Sequence, residues 1–335
     1  MKVAIFNTKY YEKELLDKFN IDSKQQLTYF DHPLTEESTT LLQGYDAVSV
    51  MLTDKLNDAV IDNLSVNKIK LIVLRSAGFD NVNIEAAGLR NIKVLRVPAY
   101  SPQAIAEHAA ALILTLDRKI HKAYNRVREN NFTINNLIGF NLYQKTVGVI
   151  GTGKIGRAFC NIMLGFGCKV IATDIKQSVS MIEKGVEYKS FDELLHTSDI
   201  ISINCPLTEQ THHLFNNTVF AKMKVGAMLI NTSRGAVINT ADAVEALKKQ
   251  QLGYLGIDVY EGEEDLFFKD LSQSIIQDDL IERLMSFNNV IVTPHQAFFT
   301  KEAVEQIAII TIKNINDFEN KLPLENEIKF EKKDK

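Results

Sequence analysis

Cysteine is scarce: only Cys160, Cys168 and Cys205 occur in 335 residues. They show no CxxC spacing and no even framework, so neither a disulfide scaffold nor a zinc site is indicated, and a reducing, cytoplasmic setting fits. Excess charge is lacking too. A net charge of −4 provides no field for drawing in nucleic acid or an anionic membrane. The most apolar long stretch, AIAEHAAALILTL, is interrupted by Glu107 and His108, short of the ~18 uncharged residues of a membrane span. The opening MKVAIFNTKYY has too short an apolar region for a signal peptide and reads as a first strand. There is no fixed-period repeat, low-complexity tract or Gly/Ser linker. The ending KFEKKDK reads as a frayed, solvated tail.

What is present is an ordinary globular composition, 45% apolar and 24% charged, in a chain long enough for two domains. Apolar β-branched runs alternate with helical patterns: KVAIFN, YYEKELLDKFN, DAVSVML, NDAVIDNL, KLIVLRSAG, KVLRVP. Such alternation predicts βαβ units and a mainly parallel sheet. SPQAIAEHAAALILTLDRKIHKAYNRVREN then predicts one long helix, with Ser101 as N-cap and Pro102 at its first position, and a domain boundary falls there. A second alternating series follows: TVGVIG, KVIATD, DIISINCP, AMLINTSRG, LGYLGIDVY, NVIVTPH. The amphipathic helix TKEAVEQIAIITIKNINDFEN lies beyond it, and its periodicity does not say which domain it packs against.

The second series opens on TVGVIGTGKIGRAFC, with Gly151, Gly153 and Gly156 in G-x-G-x-x-G spacing. The spacing alone is a weak signal. Here an apolar strand runs into it, and Ile155, Phe159, Ile162, Met163 and Phe166 follow at helical spacing. Gly151 permits the tight turn, Gly153 lets backbone approach a pyrophosphate, and Gly156 seats the helix against the strand. The phosphates then meet free N–H groups, including those of Lys154 and Ile155, at the positive end of the helix. KVIATD ends in Asp174, near the ~20-residue offset at which a carboxylate accepts the ribose 2′-hydroxyl and repels a 2′-phosphate, so NAD is expected over NADP.

The ends of the remaining strands supply polar residues to the same cleft. Cys205 and Pro206 follow ISIN, and Thr232, Ser233, Arg234 and Gly235 follow AMLIN. Asp258 and Glu263 follow LGYLG, and His295 stands just past Pro294. Hydride transfer to a carbonyl needs a proton donor and a group that holds and polarises the substrate. His295, with the ordinary imidazole pKa of ~6.5, suits the first, and a nearby carboxylate would orient it. Arg234 has the planar fork for a substrate carboxylate, which points to a 2-oxo or 2-hydroxy acid. The acidic run EGEED leaves Glu261, Glu263 and Glu264 all open. TSRGA lacks the G-x-S-x-G elbow, no H-E-x-x-H occurs, and the His212–His213 pair reads as a helix start, so no metal is expected.

With LRSAGFDNVN, VPAYSPQAIAEHA, GVIGTGKIG, NTSRGAVINT, GIDVYEGEEDLFF, IIQDDLIERL and TPHQAF, the chain resembles the D-2-hydroxyacid dehydrogenase family, and within it the fermentative D-lactate dehydrogenases. The resemblance implies two doubly wound α/β domains with a cleft between them. One is a flavodoxin-like substrate domain (1–100 with 299–335) and the other an inserted Rossmann NAD-binding domain (101–298). It implies Arg234, Glu263 and His295 as catalytic residues. Ala77 and Gly78 (backbone N–H), Tyr100 (hydroxyl) and Phe298 would meet the substrate. Cys205, Pro206, Thr232 and Asp258 would contact NAD. The implied reaction is pyruvate reduction to D-lactate with NADH, as the two domains close, in a homodimer or tetramer. Larger 2-oxo acids, or an NAD-sensing corepressor-like protein, are the alternatives. Arg75 receives no role.

Overall fold

The computed structural model describes residues 1–22 and 25–330. The chain divides into two compact units, one formed by residues 1–101 with 299–335 and the other by Pro102–Phe298. No helix among the described residues is long and apolar enough to cross a membrane.

The first unit is built on β1 (Lys2–Ile5), β2 (Gln26–Tyr29), β3 (Ala47–Val50), β4 (Leu71–Leu74) and β5 (Lys93–Leu95). All pairings are parallel, in the order β2-β1-β3-β4-β5, the flavodoxin-type winding. β3 and β4 are buried along their whole length, as strands covered on both faces must be. Helices α1 (Tyr10–Phe19), α2 (Asp58–Val66) and α3 (Ile84–Leu89) wind around this sheet. Val60, Ile61, Leu64, Ala86 and Ala87 of α2 and α3 fill one face. The carboxyl-terminal helix, Lys301–Glu319, belongs to this unit: its Ala308, Ile312 and Ile315 join Leu16 of α1 on the other face. Beyond that helix, the Ile328 N–H donates to the Val94 carbonyl (2.9 Å), and Phe330 lies against Gly88. The expected solvated tail thus begins on a packed segment, and from residue 331 it lies outside the described residues.

The second unit opens with α4 (Pro102–Arg118) and α5 (Ile120–Arg128), where a single long helix was expected. The break is at Lys119, which adopts a left-handed backbone (φ 51°) although no glycine or proline marks it. The chain beyond α5 returns to this point. Buried Asp117 accepts a hydrogen bond from the Phe140 N–H (2.6 Å), and Lys119 Nζ donates to the carbonyls of Asn136 and Ile138 (3.0 Å each). These long-range contacts set the break. Seven parallel strands follow: β6 (Thr146–Ile150), β7 (Lys169–Thr173), β8 (Glu187–Tyr188), β9 (Ile200–Ile203), β10 (Ala227–Asn231), β11 (Leu252–Ile257) and β12 (Val290–Val292). Their order is β12-β11-β10-β9-β6-β7-β8, the doubly wound Rossmann arrangement, which reverses between β6 and β9. Helix α4 and helix α6 (Lys154–Gly165) cover one face. The other is covered by four helices, Phe191–Thr197, Asn217–Lys222, Thr240–Lys248 and Asp279–Met285.

Candidate active site

The glycine loop lies where the strand order reverses. Gly151 (φ +89°) makes the turn out of β6, and a Cβ there would stand 2.8 Å from the Asn204 carbonyl oxygen at the end of β9. A Cβ on Gly156 would fall 1.9 Å from the Gly151 oxygen, so α6 can rest on the loop only with glycine. Around Gly153, by contrast, a Cβ would meet nothing within 4 Å. Its outer side is an open cradle at the amino end of α6, which Lys154 and Ile155 begin. A helix start leaves its first N–H groups without intrahelical acceptors, and they point out of that cradle.

Asp174 stands beside the loop at the end of β7. Its carboxylate accepts from the Thr152 N–H (2.5 Å), the Thr152 hydroxyl (2.9 Å) and the Lys176 N–H (3.1 Å). Partial burial pushes this carboxyl upward, but those hydrogen bonds outweigh it and hold it below the usual range. A fixed anion therefore sits next to the cradle. Cys205 is half-buried and Pro206 exposed, and burial pushes the Cys205 thiol up to about 11, which keeps it neutral. Two buried polar atoms at these strand ends, Asn204 Oδ1 and Thr232 Oγ1, have no hydrogen-bond partner. Unspent polar atoms of this kind together with the open glycine cradle fit a bound dinucleotide. Asn204 escaped the sequence reading, although it directly follows the apolar ISI.

Three loops carry the ionisable residues. After β12, His295 takes a left-handed backbone (φ 54°), and its N–H donates to the carbonyls of Asp258 (2.8 Å) and Thr293 (3.0 Å). Its Nδ1 lies 2.9 Å from Glu263 Oε1, and Glu263 Oε2 accepts from the Tyr260 N–H (2.9 Å). Of the three glutamates in EGEED, Glu263 is therefore the one that meets the imidazole. Glu261 turns instead to His213 (2.5 Å) and to the N–H and hydroxyl of Thr240.

Asp258, expected at the cofactor, is completely enclosed. It accepts from the Thr293 hydroxyl (2.5 Å) and from the N–H groups of Gln296 (2.9 Å) and Ala297 (2.8 Å). The carboxylate thus clamps the loop on either side of His295. His108 of α4, which sequence reasoning treated only as an interruption, braces the same clamp: its Nε2 lies 3.1 Å from Thr293 Oγ1 and 3.3 Å from Asp258 Oδ1. A polar residue on an otherwise apolar helix face was the available signal.

Arg234 leads out of β10. Its carbonyl accepts from Asn231 Nδ2 (2.8 Å), and its Nη1 donates to the Ser233 carbonyl (2.8 Å). The next residue, Gly235, lies so close to the chain after β11 that a Cβ would be 2.1 Å from the Tyr260 carbonyl carbon. That contact fixes the arginine loop to the glutamate loop. Phe298 is half-buried at the end of this unit.

His212 and His213 lie in a turn ahead of the helix Asn217–Lys222, whose N-cap is Asn216, so they do not start it. With Glu261 they offer three ligand atoms within 4.8 Å of one another. Hydrogen bonding already uses the atoms of His213 and Glu261. Asn239 spends its carbonyl oxygen on the Asp242 N–H and turns its amide to His213 Nδ1 (3.4 Å), so the proton resides on Nε2 and is donated to Glu261.

In the first unit, the loop after β4 holds Ala77 and Gly78, both half-buried. Their carbonyls accept from Arg96 Nη1 (2.7 Å) and Ser76 Oγ (2.8 Å), while among the described residues their N–H groups donate to no protein acceptor. Tyr100 is half-buried near the end of the segment. Arg75, just before this loop, is fully buried. It pairs with Glu12 (2.8 Å) and donates to Ser49 Oγ (3.1 Å) and the Phe6 carbonyl (2.7 Å). It ties α1 and the central strands together.

Comparison with known proteins agrees with this geometry. Residues 110–297 match the family model described as D-isomer specific 2-hydroxyacid dehydrogenase, NAD binding domain. The D-lactate dehydrogenase of Escherichia coli (strain K12) is 46% identical over 328 residues, which is 98% of this chain and 100% of that protein. The apo structure of the Escherichia coli enzyme superposes with a TM-score of 0.89 at 43% identity, covering 98% of this chain and 100% of that one. The pyruvate reductase of Chlamydomonas reinhardtii superposes with a TM-score of 0.91 at 41% identity, covering 97% and 98%. The chain belongs to the D-isomer specific 2-hydroxyacid dehydrogenases, NAD-dependent oxidoreductases.

Proposed function

We propose that this protein is a D-lactate dehydrogenase that reduces pyruvate with NADH. The observation that carries the chemistry is the 2.9 Å contact between His295 Nδ1 and Glu263 Oε1. It directs one ring nitrogen to a carboxylate and leaves the other, Nε2, for the substrate, the arrangement a general acid needs. Glu263 fixes the orientation of the ring, and Nε2 gives its proton to the carbonyl oxygen, which becomes the hydroxyl. Bound NADH supplies the hydride that becomes the hydrogen on C2. Arg234 holds the substrate carboxylate and polarises the carbonyl. The N–H groups of Ala77 and Gly78 and the Tyr100 hydroxyl also bind the carboxylate, and Phe298 borders the methyl group. Asp258 and His108 act through His295 by holding its loop.

Gly151, Gly153, Gly156, Lys154 and Ile155 take the NAD pyrophosphate, and Asp174 takes the ribose. Thr232, Cys205 and Pro206, with Asn204 beside them, line the same site. The names of the Escherichia coli and Chlamydomonas relatives support pyruvate over larger acids. A homodimer through the second unit is part of this reading. Ile120, Tyr124, Phe132, Ile134 and Ile138 leave 57–83% of their surface exposed on one continuous segment, as in a face that a second copy covers.

The deciding experiment is steady-state NADH oxidation with pyruvate, 2-oxoisocaproate and phenylpyruvate, with NADPH as a cofactor control. The highest kcat/KM is expected for pyruvate with NADH. A preference for either larger acid would reassign the substrate, and no turnover despite NADH binding would remove the catalytic role of His295.

A further inference from the structure

The second unit has a cavity of about 1260 Å³ at the opposite end of its sheet from the glycine loop. It opens beside Gly226, which precedes β10, beside Leu252, Gly253 and Tyr254 at the start of β11, and beside Asn288 and Asn289, which precede β12. In a parallel sheet these are the amino ends, whereas the loops bearing Asp174, Arg234 and His295 leave the carboxyl ends.

The lining contains Lys119, Lys122, Arg126, Lys248 and Arg283 and no aspartate or glutamate. Among the described residues only Lys248 forms an ion pair with a carboxylate, Glu245 (2.7 Å). Neutral groups hold the other four among the described residues. Lys119 is held by two carbonyls, Lys122 by the Asn288 carbonyl (2.6 Å) and side-chain oxygen (3.0 Å), and Arg126 by the Asn135 carbonyl (2.7 Å). Arg283 lies over the Phe287 ring (4.7 Å) and reaches Ser286 Oγ (3.5 Å). Burial, and after it the charges of Lys119 and Arg126, push the Lys122 ammonium below its ordinary range. The chain as a whole has more acidic than basic residues, so this concentration of one sign is local. An anion placed there would relieve the repulsion and give the two guanidinium groups the partners their geometry suits. Helix α5 turns two faces outward: Ile120, Tyr124 and Val127 are exposed, while Lys122 and Arg126, one turn apart, line the cavity.

We propose that this cavity binds a compact polyanion carrying several phosphate or carboxylate groups, and that the ligand is an effector of the reaction at the other end of the sheet. The route is short. Lys122 bonds Asn288, two residues before β12, and β12, at about 3.3 Å per residue, leads directly to Thr293 and His295. A ligand that draws Lys122 from the Asn288 oxygens therefore changes the anchorage of the strand carrying His295. Binding stands independently of the proposed reaction, and the effector role rests on it.

Isothermal titration of the full chain with inorganic tripolyphosphate and with tricarballylate, at about 0.15 M salt, tests the binding. One saturable site per chain is expected for at least one probe, and the tighter probe identifies phosphate or carboxylate as the ligand group. Affinity should fall tenfold or more in Lys122→Gln and in Arg126→Gln, with NADH affinity unchanged. Absence of saturable binding, undiminished binding in both variants, or competition with NADH would overturn the site. If the effector role is right, the saturating probe changes kcat or KM for the 2-oxo acid in wild type but not in Lys122→Gln. An unchanged rate in a protein that binds the probe and turns over its substrate would overturn that role alone.

Discussion

Each unit contains an acid paired with a base at hydrogen-bonding distance, and the two pairs do different work. Arg75 and Glu12 meet at 2.8 Å with their side chains 1% and 8% exposed, and the guanidinium spends its remaining directions on Ser49 and Phe6. His295 and Glu263 meet at 2.9 Å with 15% and 19% exposed. That contact uses Nδ1, and among the described residues nothing bonds Nε2. A short ion pair is therefore not the mark of a reaction centre. A saturated, sealed pair holds a fold together, and one with an open valence at an accessible strand end can act on a ligand.

Substitutions can break that contrast, and the largest effect is expected at His295. His295→Asn should lower kcat for pyruvate reduction by roughly 10²–10⁴-fold, the usual worth of a positioned general acid, with the thermal midpoint and NADH binding close to wild type. Glu12→Ala should do the reverse. Leaving the Arg75 charge buried without its partner costs about 3–5 kcal/mol of stability, read as a lower urea midpoint, while the rate per folded molecule is retained. Glu263→Gln keeps the size and an acceptor but removes the charge. Its kcat should drop by about 10², because the imidazole loses the carboxylate that orients it, while NADH binding is retained.

The smallest effect is expected at Asp174. Its carboxyl is held low in the folded chain, so its stabilising contribution is present above the unfolded value of ~3.9 and is lost as pH falls through the folded value. Asp174→Asn should flatten the loss of thermal midpoint on acidification below about pH 4. The same variant should also narrow the preference for NADH over NADPH, measured as the ratio of the two kcat/KM values.

Much of this was legible in the chain itself. The two alternating series, the glycine loop and the residues at strand ends follow from local patterns, because a buried parallel strand must be apolar and a tight turn at φ +89° requires Gly151. What was not legible depends on residues far apart in sequence. The break at Lys119 is set by the chain returning at residues 136–140. EGEED offers three glutamates, and only the fold turns Glu263 to His295 and Glu261 to His213. The partners of Arg75 and His108 lie 63 and 185 residues away, beyond the reach of any periodicity.

The most direct test is a single-turnover measurement of NADH oxidation on mixing pyruvate with wild type, His295→Asn and Glu12→Ala, each preloaded with NADH and corrected for its folded fraction. The account predicts that Glu12→Ala keeps the wild-type rate while His295→Asn slows by two orders of magnitude or more. A wild-type rate in folded, NADH-loaded His295→Asn would contradict it.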